Sequence, residues 1–457
     1  MNREPASFRD PAGFLFRRAG VLYRQVNGVY EDDYRRLMDS GLYDDLVHRG
    51  LLVEHEEVDR ELAEPQDGAM VIKPREIDFI SYPHEWCFDA LKDAALLTLT
   101  AQKRALEYDM ILKDASAYNI AFEGTHPIFI DTLSFETYTE GEPWVAYRQF
   151  CEHFLAPLAT MSLGCAELGR LLRSGVDGVP LEVASSALPS RSWLSPGIAI
   201  HVHLHARGGR RWSAPGDGGQ SGGVSRSGLM GLVDSLESAV TKLTGRIEGN
   251  WSDYYDGDSY TESGFEHKKE VVADYLRRLD PGTLWDLGGN VGVFSRMAEE
   301  AGARVVSMDA DPACVSLNYR ENRRVESGVL PLWVDLANPS PALGWLNVER
   351  PALLDRGPAD VAMGLALVHH LAIGNNVPLG GVADLFARCG RDAIVEFVPR
   401  EDHQVQGMLA GRRDVFDRYE VEEFEAAFSR HFSLEERTRI RDSERLLYLM
   451  RRVDGVG

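Results

Sequence analysis

The sequence predicts a two-domain α/β protein whose C-terminal part is a doubly wound, mostly parallel sheet of seven strands ending in an antiparallel hairpin. Three observations predict it. From residue 283 onward, apolar runs of strand length alternate with amphipathic stretches of helical length. The first run ends in a glycine cluster, "DLGGNVG" at 286–292. The last two runs follow each other with no helix between them, as a hairpin does.

The elements follow in order. "TLWDLG" (283–288) reads as a buried strand and "GVFSRMAEEAG" (292–302) as a helix with Val293, Phe294, Met297 and Ala298 on one side. "RVVSMD" is a second strand and "DPACVSLNYREN" a second helix. "VLPLWVDL", "PADVAMGLA" and "RDAIVEFV" are further strands, and "VEEFEAAFSRHF" is a helix. "FSLEERTRI" and "RLLYLMRRV" form the terminal hairpin. Upstream, residues 1–160 are dense in aromatics and apolar runs and read as an α+β domain. Residues 161–227 form a connecting region, in which "RGGRRWSAPGDGGQSGGVSRSG" (207–228) has little to bury and reads as a linker. The second domain is placed at 228–457.

Bulk properties narrow the function. The 457 residues carry a formal net charge of −22, which disfavours nucleic-acid binding. No apolar run approaches a membrane span, and the charged N-terminus lacks a signal-peptide core. The five cysteines are scattered and form no CxxC pair. A cytoplasmic protein is expected, with no membrane partner and no metal. The histidines of "IHVHLH" (His201, His203, His205) would share one face if the segment is a strand, and only His201 and His205 would if it is a helix; no carboxylate or cysteine partner is apparent.

The glycine turn implies a ligand. Open α/β sheets bind ligands at the carboxyl ends of their strands, where strand order reverses. "DLGGNVG" fits neither GxGxxG nor GxxxxGK[ST]. Gly288 and Gly292 have the spacing of a GxGxG loop, with Asn290 at the middle glycine, and asparagine tolerates positive φ. On these residues, the region from about 250 to the end resembles the class I S-adenosylmethionine-dependent methyltransferases. The resemblance implies S-adenosylmethionine as cofactor, held by Asp286, Gly288, Gly289, Asn290, Gly292, Asp309, Asp335 and Tyr255. Asp286 would orient the methionine ammonium, and Asp309 would accept from the ribose hydroxyls. Asp335 would meet the adenine amino group, flanked by Trp333 and Leu336. Tyr254 or Tyr255 would pack over the sulfonium. The acceptor side has three candidate catalytic residues. His369 and His370 follow the fourth strand, and Glu396 ends the fifth. Each has an alternative reading as a packing or hydrogen-bonding group.

A second pattern lies upstream. "LKDASAYNIAFEGTHPIFIDTLSFE" (112–136) spaces Asp114, Asn119 and Asp131 as kinase-like phosphotransferases space a base and two magnesium ligands. Residues 13–160 resemble that fold. The departures are Leu112-Lys113 before Asp114, Thr132-Leu133 after Asp131, no glycine-rich phosphate loop, and Arg24 in place of a clear β3 lysine. These point to a degenerate module, with a working kinase or simple turn-forming residues as alternatives. The whole chain resembles nodulation-protein-like bacterial two-domain methyltransferases. Methylation of a small molecule or glycan is the expected function. The alternatives are a bifunctional enzyme with a live kinase-like domain, and a non-catalytic protein that binds S-adenosylmethionine or a nucleotide.

Overall fold

The computed structural model describes residues 2–63, 68–208, 223–245, 260–410 and 418–453. The chain divides into two compact units, Met1–Arg246 with Ala342–Pro351, and Ile247–Pro341 with Ala352–Gly457.

The first unit opens with an antiparallel five-stranded sheet. Its strands are β1 (Asn2–Arg3), β2 (Gly13–Arg18), β3 (Val21–Asn27), β4 (His55–Val58) and β5 (Gly68–Pro74), in the order β1-β2-β3-β5-β4. Two helices, α1 (Glu31–Asp39) and α2 (Leu42–His48), connect β3 to β4. Tyr30, Tyr34, Val26, Ile72 and Leu133 pack into one of its cores. The long helix α3 (Phe88–Glu107) leads into β6 (Met110–Leu112). A hairpin of β7 (Ile120–Glu123) and β8 (His126–Phe129) follows, and β9 (Phe135–Thr137) returns to pair antiparallel with β6.

The boundary between the units falls after 246, not at the 227/228 join that composition suggested. The helix Arg226–Lys242 is part of the first unit: Lys92 on α3 donates to the carbonyls of Thr241 and Leu243 (both 2.8 Å), and Lys103 pairs with Asp234 at 2.6 Å. Residues 226–228, read as linker, are the first turn of that helix, capped by the Ser225 hydroxyl. The linker residues 209–222 lie outside the described residues.

The second unit has the expected sheet. Its strands are β10 (Thr283–Leu287), β11 (Arg304–Asp309), β12 (Leu330–Trp333), β13 (Ala359–Gly364), β14 (Gly390–Phe397), β15 (Phe432–Arg439) and β16 (Leu446–Arg452). Their order is β12-β11-β10-β13-β14-β16-β15, with only the β15–β16 hairpin antiparallel to its neighbours. The order runs outward both ways from β10, so the switch point lies between β10 and β13. One face of the sheet packs Leu284, Val305, Val361, Met363, Ile394 and Leu449 against Val272, Tyr275 and Leu276 of the helix Glu262–Leu279. Among the described residues no helix is long and apolar enough to cross a membrane.

Candidate functional site

The glycine turn sits where the strand order reverses. The N–H groups of Gly288 and Gly289 both donate to the Met308 carbonyl (2.8 and 2.9 Å), folding the turn over the end of β11. Asn290 adopts φ 50°, the left-handed backbone expected of it, and its side-chain oxygen accepts from Val291 N–H at 2.7 Å. Gly292 is also left-handed, at φ 79°, and a Cβ there would come within 2.1 Å of Asn318 Oδ1. Gly292→Ala is therefore expected to destabilise the fold by about 2–4 kcal/mol, combining left-handed strain with overpacking. A shift in the urea midpoint without a change in slope checks this.

Two carboxylates flank the turn. Asp286, 2% exposed, accepts from Ser295 Oγ at 2.5 Å. Ser295 Oγ lies 2.9 Å from Ser307 Oγ, which in turn accepts from Asn318 Nδ2 at 3.0 Å. Burial pushes the Asp286 carboxyl up to about 7, against the Ser295 bond. Asp309 ends β11 and accepts two backbone N–H groups, Asn290 on Oδ2 and Asp311 on Oδ1, both at 2.9 Å. Burial raises it to about 6. Among the described residues neither carboxylate has a cation in ion-pairing range. Asp335 lies two residues past β12, because that strand stops at Trp333. Its Oδ1 caps the next turn by accepting from Ala337 N–H at 3.0 Å. Trp333 and Leu336 are buried, and the Trp333 indole donates to the Ala310 carbonyl at 3.0 Å. Tyr254 and Tyr255 lie outside the described residues.

The segment after β13 meets the turn from the other side. A Cβ on Gly288 would lie 3.3 Å from Leu367 Cδ1. Two residues on, His369 is fully buried with neither ring nitrogen partnered among the described residues. Burial holds it well below the usual histidine range and lowers its neighbour His370 to about 4. Both are therefore neutral near pH 7. Their rings lie 4.2 Å apart.

Glu396 is also fully buried, but it is not free. Its Oε2 accepts from Lys268 Nζ at 2.7 Å and its Oε1 from the Tyr260 hydroxyl. Lys268 Nζ also donates to the Tyr260 oxygen at 3.0 Å. Lys268 Nζ and the Arg445 guanidinium lie 4.7 and 4.5 Å from the Tyr260 ring centre. Arg445, fully buried, pairs with Asp402 through Nε at 2.7 Å and stands 4.0 Å from Glu396. Burial lowers Lys268, opposed by Glu396. Lys268, Tyr260, Arg445 and Asp402 escaped the sequence reading. Only Lys268 left a trace there, on the apolar stripe Phe265, Lys268, Val272, Tyr275 of its helix. Beside this network, Tyr260, Thr261, Asp402, His403 and the 439–444 turn line an open cleft of about 640 Å³.

In the first unit the structure brings two of the three kinase-pattern residues together. Asp131 Oδ1 pairs with Arg24 at 2.6 Å, and its Oδ2 accepts from Ser134 Oγ at 2.8 Å. Asn119 Nδ2 donates to the same Ser134 oxygen at 3.1 Å. Arg24 also bonds Asp10, at 3.1 Å. Asp114 Oδ1 is taken by Ser116 N–H and Gln149 Nε2 (2.9 and 2.8 Å). The His201–His205 segment is helical, not a strand, so its histidines do not share a sheet face. His201 bonds Tyr147 and Ser235, and His203 bonds Ser185 and Ser192. No metal-holding cluster occurs among the described residues.

No family model matches the chain. Nodulation protein NoeA of Rhizobium meliloti (strain 1021) is 34% identical over 462 residues, spanning 98% of this chain and 96% of that protein. Among solved structures, magnesium protoporphyrin IX methyltransferase (ChlM) from Synechocystis PCC 6803, with bound S-adenosylmethionine, is 16% identical. The match covers 44% of this chain and 88% of that one, with a TM-score of 0.30. N-methyltransferase NodS from Bradyrhizobium japonicum WM9 is 14% identical over 41% of this chain and 98% of that one, with a TM-score of 0.31. The bifunctional kinase-methyltransferase WbdD is 17% identical over 44% of this chain and 42% of that one, with a TM-score of 0.31.

Proposed function

The chain belongs to the family of nodulation protein NoeA, and on that premise we propose that it transfers the methyl group of S-adenosylmethionine to a small-molecule or glycan acceptor. The observation that carries this reading is the turn at the β10/β13 switch point, with the buried Asp286 and the half-buried Asp309 beside it and, among the described residues, no cation in ion-pairing range of either. That donor set fits a ligand bearing an ammonium and a ribose diol. Asp286 takes the ammonium and Asp309 the diol, since a carboxylate accepts two hydroxyl protons at once. Asp335 and the Trp333 side receive the adenine. When bound, S-adenosylmethionine supplies an activated methyl group. The protein's share is chiefly positioning.

On the acceptor side, neutral His369 and His370 are hydrogen-bond acceptors or bases for an incoming X–H group. Glu396 spends its oxygens on Lys268 and Tyr260, so it positions neighbours and does not abstract a proton. Scattered cysteines without disulfide bonds among the described residues support a reducing, cytoplasmic setting. Calorimetric titration with S-adenosylhomocysteine tests the reading. Micromolar binding is expected, and absence of binding by folded protein overturns it.

For the first unit we propose a kinase-like outline without phosphotransfer. The sheet order β1-β2-β3-β5-β4, the helices between β3 and β4, and the β6–β9 arrangement support the outline. Arg24, at the β3 position, ties up the Asp131 carboxylate that would bind magnesium. No magnesium-dependent ATP turnover is expected. Turnover lost in Asp131→Ala but kept in Asp309→Ala would overturn this.

A further inference from the structure

One stretch of the first unit differs in charge from the rest of the chain. From residue 183 to residue 216 the sequence has no Asp or Glu, although the chain carries 71 of them. The described part of this stretch, 183–208, also turns apolar side chains to solvent on one surface. Leu194 is 85% exposed, Leu204 52%, Ile200 51% and Trp193 38%. Ile200 and Leu204 are four apart on the continuous helical run Ala199–Leu204 and His205–Gly208, so they share a face, and Arg207 continues it. The opposite face is fixed inward: His201 bonds Tyr147 and Ser235, and His203 bonds Ser185 and Ser192. Trp193 stacks on His203 with ring centres 4.3 Å apart, and the Arg207 guanidinium lies 4.5 Å from the Trp193 ring centre. These contacts set Trp193 and its neighbour Leu194 beside the Leu204–Arg207 face. Arg191, on the same turn as Trp193, is exposed and donates to the Leu163 carbonyl at 2.8 Å. The acids on the two helices that hold this face, Leu181–Ala187 and Arg226–Lys242, are already paired: Glu182 with Arg148, and Asp234 and Glu237 with Lys103.

We propose that this face docks the first unit on the surface of a bilayer carrying anionic lipids. Trp193, Leu194, Ile200 and Leu204 enter the boundary between headgroups and acyl chains, and Arg191 and Arg207 meet the lipid phosphates. Charge complementarity selects this occupant. A chain of net charge −22 is repelled by an anionic surface unless it approaches through a face free of acid, and this one is. The same net charge opposes a second copy of the chain as the partner. Four apolar side chains are also too few for a stable protein interface, which takes about 20–30 residues a side. A membrane surface asks less, because a few apolar side chains add to the electrostatic attraction. Each arginine near such a surface is worth about fivefold in affinity, and each leucine that enters it about tenfold or more. The face lies on the bilayer and does not cross it, in keeping with the absence of a spanning helix among the described residues. The docking belongs to the first unit and stands apart from the methyltransferase reading of the second.

The test is co-sedimentation of the full chain with vesicles of phosphatidylglycerol and phosphatidylcholine in equal amounts, and with vesicles of phosphatidylcholine alone. The mixed vesicles are expected to bind the protein about tenfold or more tighter. Leu194→Asp/Leu204→Asp should weaken that binding about tenfold or more, and Arg207→Glu about fivefold or more. All three positions are exposed, so both variants should keep the wild-type urea midpoint, which confirms that they are folded. Failure of the folded wild type to bind the mixed vesicles overturns the inference. So does equal binding by wild type and the folded leucine variant, which would put the membrane contact elsewhere. Sedimentation velocity covers the remaining case: a wild-type dimer that the leucine variant dissociates, without vesicle binding, would assign the face to a second copy and overturn the inference.

Discussion

Lys268→Met is expected to destabilise the second unit by about 3–5 kcal/mol. Lys268 and Glu396 are 1% and 0% exposed, so solvent cannot take over when one of them is removed. The variant leaves a carboxylate in the sheet interior, with Arg445 4.0 Å away and already held by Asp402. The Tyr260 hydroxyl also loses its donor. The diagnostic is the double variant Lys268→Met/Glu396→Gln. It removes the stranded charge and should recover about half or more of the loss, because most of the deficit is an unpaired ion and not lost packing. Chemical unfolding of both variants measures this. A double variant no more stable than the single one would mean that the lysine's contact with the Phe294 ring, whose centre lies 4.9 Å from Nζ, carries the effect.

Asp309→Ala is expected to weaken S-adenosylhomocysteine about tenfold or more, equal to about 1.4 kcal/mol or more. The loss has two sources. One is the pair of ribose hydroxyl bonds that the carboxylate would accept. The other is the turn itself, since Asp309 holds Asn290 N–H at 2.9 Å and keeps that left-handed residue in place. Asp309→Asn separates them. The asparagine side-chain oxygen can still accept from Asn290, so an intermediate loss is expected. Calorimetry on the three proteins checks the order. Equal binding by wild type and Asp309→Ala would remove Asp309 from the site.

The second unit's sheet was legible because its strands and helices alternate at their own periods and end at glycine, proline or acid. Asn290 was legible for a local reason. Few residues accept positive φ, and the loop spacing demanded it there. Asp335 lies two residues past the end of β12. The apolar run "VLPLWVDL" continues past the last paired residue, Trp333, and nothing local marks where pairing stops. "IHVHLH" alternates as a strand would, so its periodicity left strand and helix both open; it is helical, and its histidines are bonded to serines and a tyrosine. The buried ion network could not be read at all. Lys268 and Glu396 are 128 residues apart, and Tyr260 and Glu396 are 136 apart, so no local pattern joins them. Glu396 lies near the carboxyl end of β14. Its partners, and so its role, were out of reach.

Residues Ala342–Pro351 belong to the first unit although the chain on either side belongs to the second. Within the first unit, Leu343 pairs with Arg350, Glu349 binds Arg9, and the Arg350 guanidinium lies 4.7 Å from the Tyr118 ring centre. The polypeptide therefore passes between the units three times, at 246/247, 341/342 and 351/352. A single cut in the linker cannot yield two complete halves, because a fragment ending at 246 lacks this ten-residue piece. During synthesis, the unit that begins first cannot be finished until residue 351 has left the ribosome, well after the glycine turn and β12 of the other unit.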